Sequence, residues 1–149
     1  MNKIDQLSFK LTEEEQAAVN SYYDSLKDHR FDPKIAGQLS NALAAKALLE
    51  YAKTQISMAD SDKNNRNQYT EKAVLAVGKA YTFHALPIYI FALATYIEMR
   101  SSIASAKKTY QNFLDAQSKF MPDEISSFFL RDFNSTAAIE IAKSKIASN

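Results

Sequence analysis

The chain has 149 residues, and its 18 Lys and Arg against 17 Asp and Glu leave a formal charge of +1. This length predicts one domain that buries roughly 68–70% of its unfolded surface, while the balanced charge excludes a long-range field for nucleic acid or anionic membrane. The absence of cysteine excludes disulfides and thiolate-bound metals, which favours a cytoplasmic location.

The composition predicts helices almost throughout, because glycine and proline are rare and strand patterns are missing. Thr12 followed by Glu15 has the spacing of a capping box, in which a hydroxyl and a carboxylate bind free N–H groups of a first helical turn. This motif predicts a first helix over residues 13–27. A polar break at 28–33 then precedes a second helix over about 35–58, where apolar residues recur at helical spacing.

The polar run 60–67 predicts an exposed loop, because its Asp, Asn and Ser side chains compete for backbone hydrogen bonds. A third helix is predicted over 68–84. Pro87 starts a fourth helix that ends near Arg100, since the fixed φ of proline suits a first helical turn. Three further helices are predicted, over 103–120, from 121–124 onward, and from a cap at 134–135 to 146.

The segment 80–97 contains no Asp, Glu, Lys or Arg and approaches the length of a membrane-spanning helix. His84 and Pro87 interrupt it and leave residues 88–97 as one unbroken helix, about 15 Å long, which is half of a bilayer core. A buried core helix is therefore predicted, with no membrane contact. Residues 1–7 lack the apolar stretch of a secretory signal, so export by that route is not expected.

One pattern of small and large residues occurs twice, offset by 33 residues: Ala73-x-x-x-Val77-x-x-Ala80 and Ala106-x-x-x-Tyr110-x-x-Phe113. Pro87 and Pro122 share a similar spacing. Equal spacing on successive helix pairs is typical of stacked helical hairpins, because each pair buries one face against the next. An alanine-rich helical bundle whose helices have similar lengths would show the same apolar periodicity.

The chain resembles a tetratricopeptide repeat, most clearly in Ile90-x-x-Leu93-Ala94-x-x-Ile97 followed by Ala106, Tyr110 and Pro122. The resemblance covers residues 39–122, with 123–149 as C-terminal capping helices of a single helical domain over 1–149. It implies an all-α fold of stacked antiparallel helical hairpins with six or seven helices. In that family the first helices of each pair line a concave groove that holds an extended peptide or a partner's helix.

The resemblance implies a non-catalytic scaffold that binds a protein or peptide, as an adaptor, a co-chaperone or a secretion-type chaperone. Family geometry places Phe91, Thr95 and Glu98 of the fourth helix on the groove, with Lys46 and Lys53 of the second helix nearby. We therefore expect these five residues to contact the partner.

The polar run offers an alternative function, because Asp60-x-Asp62-x-Asn64-Asn65-x-x-Gln68-x-x-Glu71 approaches the twelve-residue calcium loop of an EF-hand. Its oxygen-bearing side chains fall at the first, third, fifth, ninth and twelfth positions, a spacing that wraps a hard cation. Asn65 stands where glycine normally makes the sharp turn, and Asp- and Asn-rich connectors also occur for turn reasons alone. A calcium-binding helical protein and a solvated connector are the two interpretations.

Catalytic motifs are missing, and the only histidines are His29 and His84. His84 lies in an aromatic stretch and is predicted to be a packed histidine with one satisfied nitrogen. We predict a protein that is not an enzyme and that has no cofactor and no metal site. We also expect no nucleic-acid partner, because acidic residues flank the basic cluster within 100–108. The aromatic run 128–133 is predicted to cover the end of the core, or to dock a partner or a second copy as a homodimer.

Overall fold

The computed structural model describes residues 11–26 and 39–148. The chain is all-α over these two ranges, without strands, and the predicted fold of six or seven helices is confirmed. The seven helices there are α1 Glu13–Leu26, α2 Leu39–Ser61, α3 Arg66–Phe83, α4 Pro87–Arg100, α5 Ile103–Lys119, α6 Glu124–Phe129 and α7 Ser135–Ala147. The predicted break at 28–33, the predicted helix start at 35 and His29 lie outside the described residues.

Side-chain caps explain where several helices begin. The hydroxyl of Thr12 accepts a hydrogen bond from the backbone N–H of Glu15 at 3.1 Å, and the carboxylate of Glu15 accepts one from the backbone N–H of Thr12 at 2.9 Å. The predicted capping box is therefore confirmed. The side chain of Asn134 caps α7 by accepting from the backbone N–H of Ala137, and Pro87 begins α4 as predicted.

The polar run 60–67 is more helical than the sequence predicts. α2 and α3 extend into it from both sides, and one short 3-10 turn, Lys63–Asn65, lies between them. The prediction of a loop was wrong because these polar side chains bind within the helix end instead of breaking it. The Ser61 hydroxyl, for example, donates to the carbonyl of Ser57, one turn earlier.

The helices pack largely in chain order. Each of α2, α3, α4 and α5 packs against the helix before it, α7 packs against α5, and the short α6 packs against α2. Buried side chains form two clusters, the first from α1 to α4 with α6, and the second from α4, α5 and α7. Because α4 supplies Tyr89 to the first cluster and Ile90 to the second, this helix joins both.

The two clusters differ in the size of their side chains. Alanines dominate the first cluster where α2 and α3 meet, among them Ala45, Ala52, Ala73 and Ala76, each with no exposed surface. Small side chains at a contact allow two helix axes to approach closely. The second cluster instead combines alanines with the large aromatic rings of Tyr110 and Phe113.

The charge-free segment 80–97 is divided between α3 and α4, with the turn at residues 84–86. Within α4, Tyr89, Ile90 and Ala94 are buried, so the predicted core helix is confirmed. In the part of the chain that the structure describes, no helix has the length and apolar character needed to cross a membrane.

Candidate functional site

A groove with a volume of about 300 Å³ lies between α2 and α4. Its walls on these two helices are Lys46, Leu49 and Lys53, and Ile88, Phe91, Ala92, Thr95 and Tyr96. Phe129 of α6 and two residues of the connection to α7, Asp132 and Phe133, complete the lining. The side chains of Lys53 and Asp132 are 53% and 90% exposed, so this α2–α4 groove opens to solvent.

Four of the five residues that the sequence assigns to partner contact line this groove. They are Lys46 and Lys53 on α2, and Phe91 and Thr95 on α4. The hydroxyl of Thr95 donates to the carbonyl of Phe91 at 3.0 Å, which satisfies its donor. Thr95 therefore adds a small, half-buried side chain to the wall, and its hydroxyl hydrogen already has an acceptor within α4.

Phe91 joins the groove to the second buried cluster. Its ring centroid lies 5.1 Å from that of Phe113, 6.1 Å from that of Tyr110 and 6.4 Å from that of Phe133. Edge-on and tilted ring pairs at these distances are favourable. Phe91 therefore packs against these three rings while part of its surface lines the groove.

The α2 wall of the groove carries an excess of positive charge. The ammonium groups of Lys46 and Lys53 lie 3.0 Å and 3.5 Å from the same carboxylate oxygen of Glu50. Burial raises the pKa of Glu50, but the hydrogen bonds and charges of the two lysines outweigh burial and leave this pKa below its ordinary value. One carboxylate thus faces two cations, and Asp132 supplies negative charge elsewhere on the groove.

Glu98, the fifth predicted contact residue, does not line the groove. Its carboxylate accepts a hydrogen bond from the hydroxyl of Tyr110 at 2.8 Å and pairs with the ammonium group of Lys145 at 2.8 Å. Burial raises the pKa of Glu98, yet these two donors outweigh burial and lower this pKa. Burial and the bond to Glu98 also raise the pKa of Tyr110 to about 12. Glu98 therefore links α4 to α5 and α7.

α6 brings Phe129 to the groove, and its side chain is 5% exposed. The Phe129 ring centroid lies 5.0 Å from that of Phe128 and 6.2 Å from that of His84. Nε2 of His84 lies 3.4 Å from the Ser126 hydroxyl, whereas Nδ1 is buried and has no hydrogen-bond partner among the described residues. Burial lowers the pKa of His84, and the charge of Asp123 offsets part of this effect. The predicted packed histidine with one satisfied nitrogen is confirmed.

Two of the side chains proposed as calcium ligands, Asp60 and Glu71, have other partners. Asp60, at the end of α2, pairs with Arg66 at 3.8 Å, and Glu71, within α3, pairs with Arg100 at 3.5 Å. Within the described part of the chain, no three His, Asp or Glu side chains lie close enough together to hold a metal ion. Calcium binding therefore stays a prediction from sequence spacing alone.

Sequence reasoning missed the apolar part of the groove. Leu49, Ile88 and Ala92 give no functional signal, because helical periodicity marks them only as buried positions. The aromatic run 128–133 was predicted from the sequence to cover the end of the core, and Phe129 does belong to the first cluster. Its position beside α2 depends on a long-range contact that local patterns do not predict.

Comparison with known proteins adds no assignment. No family model, curated protein or solved structure matches the chain. The fold defines the chain as an all-α protein with an open groove, and its function is inferred from the residues of that groove.

Proposed function

We propose that the chain binds a protein or peptide partner in the α2–α4 groove, as a non-catalytic, tetratricopeptide-like scaffold. The observation that carries this proposal is the convergence of Lys46, Lys53, Phe91 and Thr95 on one open groove. Burial of an apolar side chain of the partner supplies affinity there, and the charged residues fix its orientation. In this proposal the chain acts in the cytoplasm as an adaptor, a co-chaperone or a secretion-type chaperone.

The packing order supports the hairpin interpretation. α3 packs against both α2 and α4, and these two helices, the first of successive predicted pairs, line the same groove. The repeated pattern is buried in both copies: Ala73, Val77 and Ala80 on α3, and Ala106, Tyr110 and Phe113 on α5. Equivalent positions thus have equivalent roles in packing, which is the property expected of a helical repeat.

The size of the groove favours a segment of a larger partner. A volume of about 300 Å³ is at the lower end for small-molecule pockets, whose walls enclose most of a ligand. The α2–α4 groove is open and suits one or two side chains of a longer segment. Apolar anchors inserted into such a groove are typical of peptide and helix recognition.

Thr95→Trp provides the main test, because the larger ring would fill the groove. Peptides are first selected on the wild-type protein from a displayed random library, and their affinities are then measured by fluorescence anisotropy. We expect Thr95→Trp to weaken the selected peptides about tenfold or more, which corresponds to about 1.4 kcal/mol of lost binding free energy. Thr136→Trp, on the exposed surface of α7, is the matched control and is expected to bind as the wild type does.

Two results would contradict the proposal. One is a selection that enriches no peptide on the wild-type protein. The other is a set of peptides that bind Thr95→Trp and Thr136→Trp with equal affinity, which would place their site outside the groove. Circular dichroism of both variants shows whether each retains the helical fold.

A further inference from the structure

A second groove lies along another face of α2, between this helix and α1, and its volume is about 450 Å³. The described residues that line it are Ala18, Ser21 and Tyr22 of α1, and Ala47, Glu50, Tyr51, Thr54 and Gln55 of α2. The α2 residues recur at helical spacing, which places them on one face of that helix. This α1–α2 groove is separate from the α2–α4 groove, because no described residue lines both.

Gln55 brings an unpaired hydrogen-bond acceptor to the α1–α2 groove. The residue is 6% exposed, and its Oε1 is buried with no hydrogen-bond partner in the described part of the chain. A buried carbonyl oxygen without a donor costs free energy, because it has lost its hydrogen bonds to water. The last torsion of a glutamine side chain is soft, so this oxygen can turn towards a donor that enters the groove. Gln55 therefore points to a ligand that carries an N–H or O–H donor.

Two hydroxyl groups beside Gln55 also present acceptors. The Thr54 hydroxyl donates to the backbone carbonyl of Glu50 at 3.2 Å, and the Tyr51 hydroxyl donates to the carboxylate of Glu14 at 2.8 Å. Because each hydroxyl hydrogen already has an acceptor, each oxygen offers a lone pair to a ligand. A ligand with more than one donor hydrogen matches this set of acceptors.

Charge and shape restrict the ligand further. Among the described lining residues, Glu50 carries the charge, and Lys46 and Lys53 already pair with one of its oxygens at 3.0 Å and 3.5 Å. A cation gains little beside a carboxylate that has two cationic partners, so a neutral ligand suits this groove. Tyr22 and Tyr51 bring one aromatic side chain from each helix, and aromatic rings pack well against a flat group.

We propose that the α1–α2 groove binds a primary carboxamide, the flat and neutral group that ends Asn and Gln side chains and many small molecules. One N–H of the ligand donates to Oε1 of Gln55, and the other donates to a hydroxyl oxygen of Thr54 or Tyr51. The carbonyl oxygen of the ligand accepts from Nε2 of Gln55. This site is distinct from the proposed peptide site and does not rest on it.

The probe is benzamide, a flat molecule with one primary carboxamide, and N,N-dimethylbenzamide is its match without N–H donors. Both are titrated into the isotope-labelled full chain and followed by NMR. We expect benzamide to shift the side-chain amide signals of Gln55 and to bind at least about tenfold more tightly than its dimethyl analogue. Equal affinity of the two probes overturns the proposal, as does benzamide that shifts no signal of the α1–α2 groove.

Gln55→Met tests the acceptor itself, because methionine has a similar length and no amide. The variant is expected to fold, since it removes an unpaired buried group, and to bind the two probes with equal, weaker affinity. Gln68→Met, on the exposed surface of α3, is the matched control and should keep the preference for benzamide. Ser21→Trp fills the groove from the exposed face of α1 and should abolish binding. A Gln55→Met variant that keeps the preference overturns the proposal.

A further pair of ligands identifies the source of the carboxamide. A glutamine flanked by alanines, acetylated and closed as a methylamide, carries its only primary carboxamide on the side chain, and glutamate replaces this glutamine in the control peptide. Tighter binding of the glutamine peptide than of benzamide indicates a side chain of a protein partner, and tighter binding of benzamide indicates a free small molecule. Either result supports the proposal where it depends on Gln55. Thr95→Trp should bind these probes as the wild type does, so failure of this site and failure of the α2–α4 groove are distinguished.

Discussion

His84, at the turn between α3 and α4, links the protonation of one side chain to folding. Burial lowers the pKa of this imidazole below its ordinary value of 6.5, although the charge of Asp123 offsets part of the effect. Between the lowered pKa and 6.5, the folded chain binds fewer protons than the unfolded chain. Stability therefore falls as the pH drops through this window, and the loss is complete below it.

His84→Gln is expected to remove this part of the pH dependence. The free energy of unfolding of the wild type should decline as the pH falls through 6.5 toward the lowered pKa of His84, and that of the variant should decline less. Glu50 and Glu98, whose pKa values are lowered, lose their stabilising charge only at more acidic pH. Urea unfolding across a pH series tests this, and parallel curves for the two proteins would contradict it.

The sequence predicts interactions between neighbouring residues, but it does not predict which distant residues will pair. The cap at Thr12 was predictable because both of its partners lie within one helical turn. Glu98 was expected on the groove. Instead, one of its carboxylate oxygens pairs with Lys145 and the other accepts a hydrogen bond from Tyr110, and these partners lie on two other helices. Such pairings depend on packing, and no local spacing in the chain indicates them.

At the level of elements, the sequence predicted the ends of a helix correctly where residues with strong backbone preferences lie at those ends. α4 begins at Pro87 and ends at Arg100 as predicted, since proline suits a first turn and the serines that follow do not favour continuation. The boundary between α2 and α3 was misplaced, because Asp, Ser and Asn are compatible with a helix end as well as with a loop. The position of α6 against α2 was not predictable, since it depends on a contact between distant parts of the chain.

Close packing of α2 and α3 makes the buried alanines sensitive to size. Ala76→Leu adds bulk to a position with no exposed surface in the first cluster. We expect it to lower the free energy of unfolding by about 1–3 kcal/mol, because a packed interior has no space for three more carbon atoms. Ala104→Leu, on the exposed face of α5, is the control and should change stability by less than about 0.5 kcal/mol. Equal effects of the two substitutions, measured by urea unfolding, would argue against the tight interface.

For the whole molecule, the question is whether the two buried clusters unfold together. Arrays of stacked helices interact mainly with their neighbours, and such chains can unfold in parts. Here α4 supplies Tyr89 and Tyr96 to the first cluster and Ile90 and Ala94 to the second. Separating the clusters would therefore expose one face of α4 whichever cluster opened first.

Shared use of α4 predicts a single cooperative transition for the described helices. Leu48→Ala removes a buried side chain of the first cluster, and Phe113→Ala removes one of the second. Each should lower the free energy of unfolding by about 2–5 kcal/mol and shift the whole transition. Hydrogen exchange under native conditions should then show equal losses of protection in α3 and α5 for either variant. If Phe113→Ala lowers the protection of α5 and α7 while α2 and α3 keep theirs, the two clusters are separate cooperative units and α4 does not couple them.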